Sequence, residues 1–353
     1  MTTLTNDLPT HAAAYRGLVA RRIAILAGLA VLLVLSVAVD VSLGPARYGV
    51  GEVLKTLLAL GPADLQMTVV VWDIRMPMAL LAVTVGASLS LAGAQMQTIL
   101  ANPLASPFTL GLSAAASFGA ALAMVLGVAL FPAAIALMVP VNAFAMAMVA
   151  SLTIFGLSTL RGVTVETIVL LGIALVFSFN AALALLQYFA SEQALSAVVF
   201  WTMGSLTKAT WGKVAVCAVI LAVCTPLFAR RAWALTAIRL GETRAAAMGV
   251  PVKRLRLEAL FLVSLLAAVP VSFVGTIGFI GIVGPHVARL LLGEDQRFFL
   301  PGAMLSGALI LSATSVLSKA LLPGAVLPIG IITALVGVPF FAALILAKGR
   351  RAW

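Results

Sequence analysis

With 11 acids, two histidines and two cysteines in 353 residues, any chemistry in this chain must come from very few groups. His286 is the one ionisable residue near the middle of a long uncharged run, and it follows Pro285, which breaks a helix. A histidine in that position can gate, ligate, or simply cap and pack. Its only companion is His11, and Cys217 and Cys224 lie seven apart in one apolar run, so no cluster has the spacing of a metal site. The cysteines share a helix face and cannot bridge to each other. An enzyme would need a nucleophile paired with a base, and no such pair stands out. ATP hydrolysis by this chain is excluded: the only Gly-Lys pair, Gly212-Lys213, is followed by Val214, so there is no G-x-x-x-x-G-K-[ST] loop to cradle phosphates.

Three stretches have spacings that could move rather than react. Gly275, Gly278, Gly281 and Gly284 recur every third residue and end in Gly284-Pro285-His286, a pattern that permits close helix approach and bending. Ala101-Asn102-Pro103-Leu104-Ala105-Ser106-Pro107 holds two prolines four apart, which rules out one continuous helix there; it is either a plain turn or a gate. Leu240 to Pro251 reads as a short helix. Glu242 favours its N-terminus, Ala245 to Ala247 favour its body, Gly249 suits the C-terminal cap and Pro251 stops it. A two-turn helix is not stable alone and needs a surface to dock on.

The elements that must position these residues are membrane spans. The chain is 63% apolar and 9% charged, against roughly 25% charged in soluble domains. No Asp, Glu, Lys or Arg occurs between Arg75 and Arg161, whereas one span needs only about 20 such residues. Uncharged runs give ten expected spans, over 22–41, 76–98, 110–130, 133–157, 166–189, 212–229, 258–274, 276–292, 299–318 and 328–347. The first is read as a retained helix rather than a cleaved signal. With the N-terminus inside, Arg47, Lys55, Arg75, Lys208, Lys213 and Lys319 are the only basic residues outside, which fixes the orientation with both termini cytoplasmic. The net charge of +11 therefore reports membrane topology, not nucleic acid. Merging 258–292 into one span would move Arg289, Arg297, Lys348, Arg350 and Arg351 outside and bring in only Lys319, so two spans are expected. Two hydrophilic stretches remain, an outer loop 42–75 and an inner loop 230–257, and the chain reads as one unit, 1–353. Asp40, Glu166 and Glu258 all fall at span ends, which argues against proton coupling. A sodium site of carbonyls and hydroxyls stays open.

Taken in order, several stretches resemble the permease family of ATP-binding-cassette importers for iron–siderophore complexes, haem and cobalamin. These are Asp73-Ile74-Arg75-Met76-Pro77, Ala92-Gly93-Ala94-Gln95-Met96-Gln97, Asn102-Pro103-Leu104-Ala105-Ser106-Pro107 and Trp201-Thr202-Met203-Gly204-Ser205-Leu206. The series continues with Leu240-Gly241-Glu242-x-x-Ala245-x-x-Met248-Gly249, Gly284-Pro285-His286-x-x-Arg289, Pro328-Ile329-Gly330-Ile331-Ile332-Thr333 and Gly337-x-Pro339-Phe340-Phe341. The resemblance spans about Asp73 to Phe341. It implies an all-α integral membrane protein of about ten helices with the architecture of a type II importer permease, in the bacterial inner membrane. It also implies pairing with a second copy or a paralogue, two ATPase subunits that hold the ATP and magnesium, and an extracytoplasmic substrate-binding protein. No cofactor is expected on this chain.

The same resemblance assigns roles. Leu240, Gly241, Glu242, Ala245, Met248 and Gly249 would couple to the ATPase. Gln95, Gln97, Asn102, Pro103, Gly281, Gly284, Pro285 and His286 would line or gate the pathway. Independently of the matched stretches, the outer-side charges Arg47, Lys55 and Arg75 are either ordinary loop charges or the residues that meet acidic groups of the binding protein. An iron(III)–siderophore-type chelate is the expected cargo, with haem or cobalamin as alternatives and an ion-coupled transporter as the competing class. The sequence departs from the family pattern at Met78, Val326 and Ser315, where a second Arg, a Glu and an Asp are usual; these positions bear on cargo and docking rather than on coupling.

Overall fold

The computed structural model describes residues 8–44, 48–57, 64–128, 137–160, 162–322 and 324–348, and all regular structure among them is helical. The chain runs through α1 (Leu8–Ser42), α2 (Val50–Leu57), α3 (Leu65–Val69), a π-helical segment (Val70–Arg75) and α4 (Met76–Ile99). It continues with α5 (Leu112–Leu126), α6 (Met138–Ser158), α7 (Val165–Phe189), α8 (Glu192–Thr202), α9 (Trp211–Arg230) and α10 (Ala232–Ile238). The remaining helices are α11 (Glu242–Ala247), α12 (Val252–Val274), α13 (Ile280–Leu292), α14 (Gln296–Ala320) and α15 (Ile329–Lys348).

Each expected span has its helix, in α1, α4, α5, α6, α7, α9, α12, α13, α14 and α15. Seven of the helical stretches are long and apolar enough to cross a membrane, and Leu112–Leu126, Ile280–Leu292 and Ile329–Ala343 are shorter apolar helices. Together with the relatives reported below, this makes the chain a multi-pass membrane protein. The doubtful stretch 258–292 is two helices. Gly275 ends α12 at φ +77° and ψ −162°, a backbone conformation essentially reserved for glycine.

The loop boundaries need correction. The stretch 42–75 is not an open loop, because Asp64 caps a helix that runs from Leu65 through the π segment into α4. The π turn has a local cause. Pro77 cannot donate a backbone hydrogen bond and its ring crowds the preceding turn, and just before it the Met76 amide reaches back five residues to Val71. The stretch 230–257 holds α10 and α11, and α12 starts at Val252, so the basic residues Lys253, Arg254 and Arg256 lie on its first two turns.

Helix α4 is central, buried on almost every side against α9, α12, α13 and α14. Small residues allow this. A Cβ built on Gly93 would lie 1.8 Å from the carbonyl oxygen of Gly281, so the backbones of α4 and α13 touch directly. Ser90 Oγ donates to the Ala303 carbonyl of α14 at 2.6 Å and satisfies a polar group inside the bundle. By contrast α7 is strongly apolar yet mostly uncovered, with Leu170, Phe177, Leu185 and Tyr188 exposed. A helix of that composition needs lipid or another protein around it.

Candidate functional site

The stretches around 201–206, 275–281 and 328–339 meet at a groove of about 630 Å³, lined by Phe108, Thr202, Met203, Thr276, Gly278, Phe279, Gly330, Ile331, Ala334, Leu335, Val338 and Pro339. Backbone hydrogen bonds build it. The Ser205 amide donates to the Val274 carbonyl, and the Ile329 and Gly330 amides donate to the carbonyls of Gly204 and Met203. Thr276 Oγ1 donates to the Thr202 carbonyl at 2.5 Å. The turn after α8, the break between α12 and α13 and the start of α15 are thereby fixed to one another. Phe279 stands at φ +67°, an uncommon conformation for an aromatic residue, with its ring against the face of α15 where Gly337 carries no side chain. A second groove of about 480 Å³ adjoins between α5 and α7, and Ser113, Ser117, Asn180 and Gln187 supply hydroxyls and amides to it. Neither groove has a charged lining residue.

The expected pathway residues divide. Gly281 and Gly284 form the contact between α13, α4 and α14, where a Cβ on Gly284 would sit 2.2 Å from Ser90 Oγ. Pro285 is buried within α13, and His286 is half-buried, edge-on to Phe340 with centroids 6.2 Å apart. Asn102 Oδ1 accepts the Leu104 amide at 2.9 Å, and Pro103 is exposed, so this segment is a side-chain-capped turn at the end of α4. Thr202, Met203, Thr276 and Phe279 line the groove without having been singled out. The Trp201–Leu206 motif was the signal that could have marked the first two.

Gln95 and Gln97 do not reach the groove. Both are fully buried in the last turns of α4 and belong to a polar network. Gln95 Nε2 donates to Gln296 Oε1 at 3.1 Å, and Gln296 Nε2 donates to Thr98 Oγ1 at 3.2 Å. Gln97 Nε2 reaches the Gly281 carbonyl at 3.4 Å, while its Oε1 accepts from Arg289 Nη2 at 2.9 Å. Arg289 Nε lies 3.2 Å from Glu294, which also pairs with Arg239.

Around the inner loop, Ala245 is the one residue of α11 that is buried; Leu240, Gly241, Glu242, Met248 and Gly249 are exposed. Its end is a Schellman cap. The Gly249 amide bonds the Ala246 carbonyl at 2.9 Å and the Val250 amide the Ala245 carbonyl at 3.0 Å, with Gly249 at φ +81° and Val250 buried beside Ala245. Glu242 forms an ion pair with Arg256 of α12, and Arg256 Nε donates to the Ile99 carbonyl at 3.3 Å. Asp295, at the N-terminus of α14, has its carboxyl held below the usual range, chiefly by the hydrogen bond from the Arg297 side chain.

At the opposite end, Arg75 is not the exposed docking residue expected. It is 3% exposed, and its Nη1 donates to the carbonyls of Val41 at 3.1 Å and Ser42 at 3.0 Å. Lys319 is also inside, with Nζ 3.1 Å from Asp40 Oδ1 and 2.9 Å from the Asp40 carbonyl. The last three carbonyls of α1 are thus taken by two cations, the sign that a helix C-terminus favours. Ser315 is buried one turn before Lys319, so the acid that the family pattern places there comes instead from α1. Lys55 is exposed on α2, and Arg47 lies outside the described residues.

A family model described as the FecCD transport family matches residues 30–347. The chain is 36% identical over 282 residues to the hemin transport system permease protein of Yersinia pestis, covering 80% of this chain and 84% of that protein. It is 33% identical over 340 residues to the molybdate import system permease protein of Haemophilus influenzae, covering 91% and 95%. Among solved structures, one described as an inward-facing conformation of a metal-chelate type ABC transporter matches with a TM-score of 0.79 at 32% identity, covering 92% of this chain and 99% of that one.

Proposed function

The chain belongs to the FecCD transport family, and from that premise we propose that it is the membrane-spanning permease subunit of an ATP-driven importer. The observation that carries this reading is the inner-loop helix. A capped turn of helix that buries only Ala245 and presents Leu240, Glu242, Met248 and Gly249 outward is shaped to enter a cleft on another protein. A nucleotide-binding partner is the natural occupant, since the chain has no phosphate-binding loop of its own.

In this reading all ten apolar helices cross the bacterial inner membrane, with both termini in the cytoplasm. Two copies, or one copy and a paralogue, face each other through the uncharged grooves, so that each groove is half of a central pathway. Two ATPase subunits dock on the α11 side, and a binding protein delivers cargo to the opposite face, where exposed Lys55 is available to acidic partners. Closure of the ATPase dimer on ATP pushes α11 and rocks the helices between inward- and outward-open states.

The cargo proposed is an iron(III)–siderophore-type chelate. A wide apolar wall with a few hydroxyls and amides suits a bulky, charge-shielded complex better than a bare ion. Haem or cobalamin are the alternatives, and the molybdate permease among the relatives adds a small oxyanion to the cargoes that a test must include. The test is ATPase activity in proteoliposomes holding the chain and its ATPase partner, for wild type and for Glu242→Arg with Gly249→Trp. Stimulation by a loaded binding protein should appear with wild type and vanish with the variant. Uptake that collapses with an uncoupler at constant ATP would overturn the proposal in favour of ion coupling.

A further inference from the structure

The inner end of α4 is held by cytoplasmic connections through side chains. Gln296 holds Gln95 and Thr98, Arg289 holds Gln97, and Arg256 holds the Ile99 carbonyl. Only the last of these side chains also grips α11. Arg256 binds Glu242 with one arm of its guanidinium and the end of α4 with the other, and its side chain is 14% exposed. Among the described residues it is the one side chain with polar contacts to both elements. Helix α4 in turn lies backbone to backbone on α13, whose N-cap residue, Phe279, lines the groove.

We infer that Arg256 is the positioning residue that carries displacement of α11 into α4, and hence into the pathway. The inference rests on the importer reading above. The geometry has a mechanical logic. Beyond Ala245, its own buried anchor, α11 is tied to the bundle by a charged pair whose guanidinium is rigid and planar, so a shift at Glu242 moves a donor that α4 depends on. The Ile99 carbonyl belongs to the last turn of α4, where no further turn of helix follows to supply a donor. A lysine would have to bring its one nitrogen within reach of both acceptors together, whereas the guanidinium serves them from two separate nitrogens, Nη2 for Glu242 and Nε for the Ile99 carbonyl.

The experiment is hydrogen exchange on the full complex of this chain with the ATP-binding subunit that co-purifies with it, measured with and without a non-hydrolysable ATP analogue. In wild type, nucleotide should alter exchange both at 242–250 and at 96–104. In Arg256→Met, which keeps an apolar stem but loses both polar contacts, the response at 242–250 should persist while that at 96–104 falls at least three-fold. The charge swap Glu242→Arg with Arg256→Glu separates transmission from simple stability. It restores an ion pair but places a carboxylate, which cannot donate, beside the Ile99 carbonyl, so the 96–104 response should stay lost. A wild-type-sized response at 96–104 in Arg256→Met, or its recovery in the swap, overturns the inference and leaves the importer reading standing. Absence of any nucleotide response at 242–250 in wild type overturns both. Should Arg256→Met fail to fold, Arg256→Lys is the second variant, and an intact response there counts against the two-armed contact.

Discussion

Removing the amine of Lys319 should destabilise this protein more than most single substitutions, and removing Asp40 with it should restore much of the loss. The two side chains are 1% and 0% exposed, with Nζ 3.1 Å from Oδ1. Lys319→Met strands a carboxylate in the interior, which costs about 3–5 kcal/mol, whereas replacing both charges with apolar groups of similar volume is often neutral or stabilising. Both the single and the double substitution free the backbone carbonyl of residue 40, which lies near the end of α1 and has Lys319 as its partner at 2.9 Å, so recovery in the double variant is not complete. Taking roughly 2 °C per kcal/mol for a chain of this size, Lys319→Met should lower the unfolding midpoint by roughly 6–10 °C. The double variant Asp40→Leu with Lys319→Met should recover to within roughly 3 °C of wild type. The molecule carries its own probe: Cys217 and Cys224 are both free and buried, so a thiol-reactive dye in detergent reports unfolding. A single-variant shift below 2 °C, or a double variant as unstable as the single, would refute the reading of a dry, mutually dependent pair.

Gly93→Ala should disrupt the contact of α4 with α13, because its Cβ meets a backbone oxygen that cannot turn aside; the expected cost is at least about 1–3 kcal/mol, read in the same dye assay. Gly249→Ala has open space around it but sits at φ +81°, so about 1 kcal/mol of backbone strain should loosen the cap of α11, seen as faster exchange at 242–250 with little change in global unfolding. For pH, Asp295 has its folded value depressed below the ordinary 3.8, so its contribution is full above that value and is lost as pH falls through the folded one. The midpoint difference between wild type and Asp295→Asn should therefore be largest near neutrality and shrink on acidification; a difference that grows below pH 4 would refute the assignment.

The all-helical, multi-pass character of the chain and the places of its apolar helices could be read directly from the sequence, because an apolar run is a property of composition and length. The α11 cap was equally visible, since Gly249 and Pro251 act through local backbone geometry that needs no partner. The break between α12 and α13 was legible differently, through the basic residues that would change sides if 258–292 were one span, and Gly275 is where it falls. Sequence reasoning went astray wherever a charge had to be assigned to water or to protein. Arg75 and Lys319 lie near span ends and look solvated, yet they fold inward, because the carbonyls at the end of α1 and the carboxylate of Asp40 converge there from elements at least 33 residues away along the chain. Gln95 and Gln97 looked like pathway residues and are instead the partners of Gln296 and Arg289. The meeting of Trp201–Leu206 with Gly275 and Ile329 could not be read either. Three turns find one another only when their helices pack, and a linear pattern carries no distance between segments that far apart.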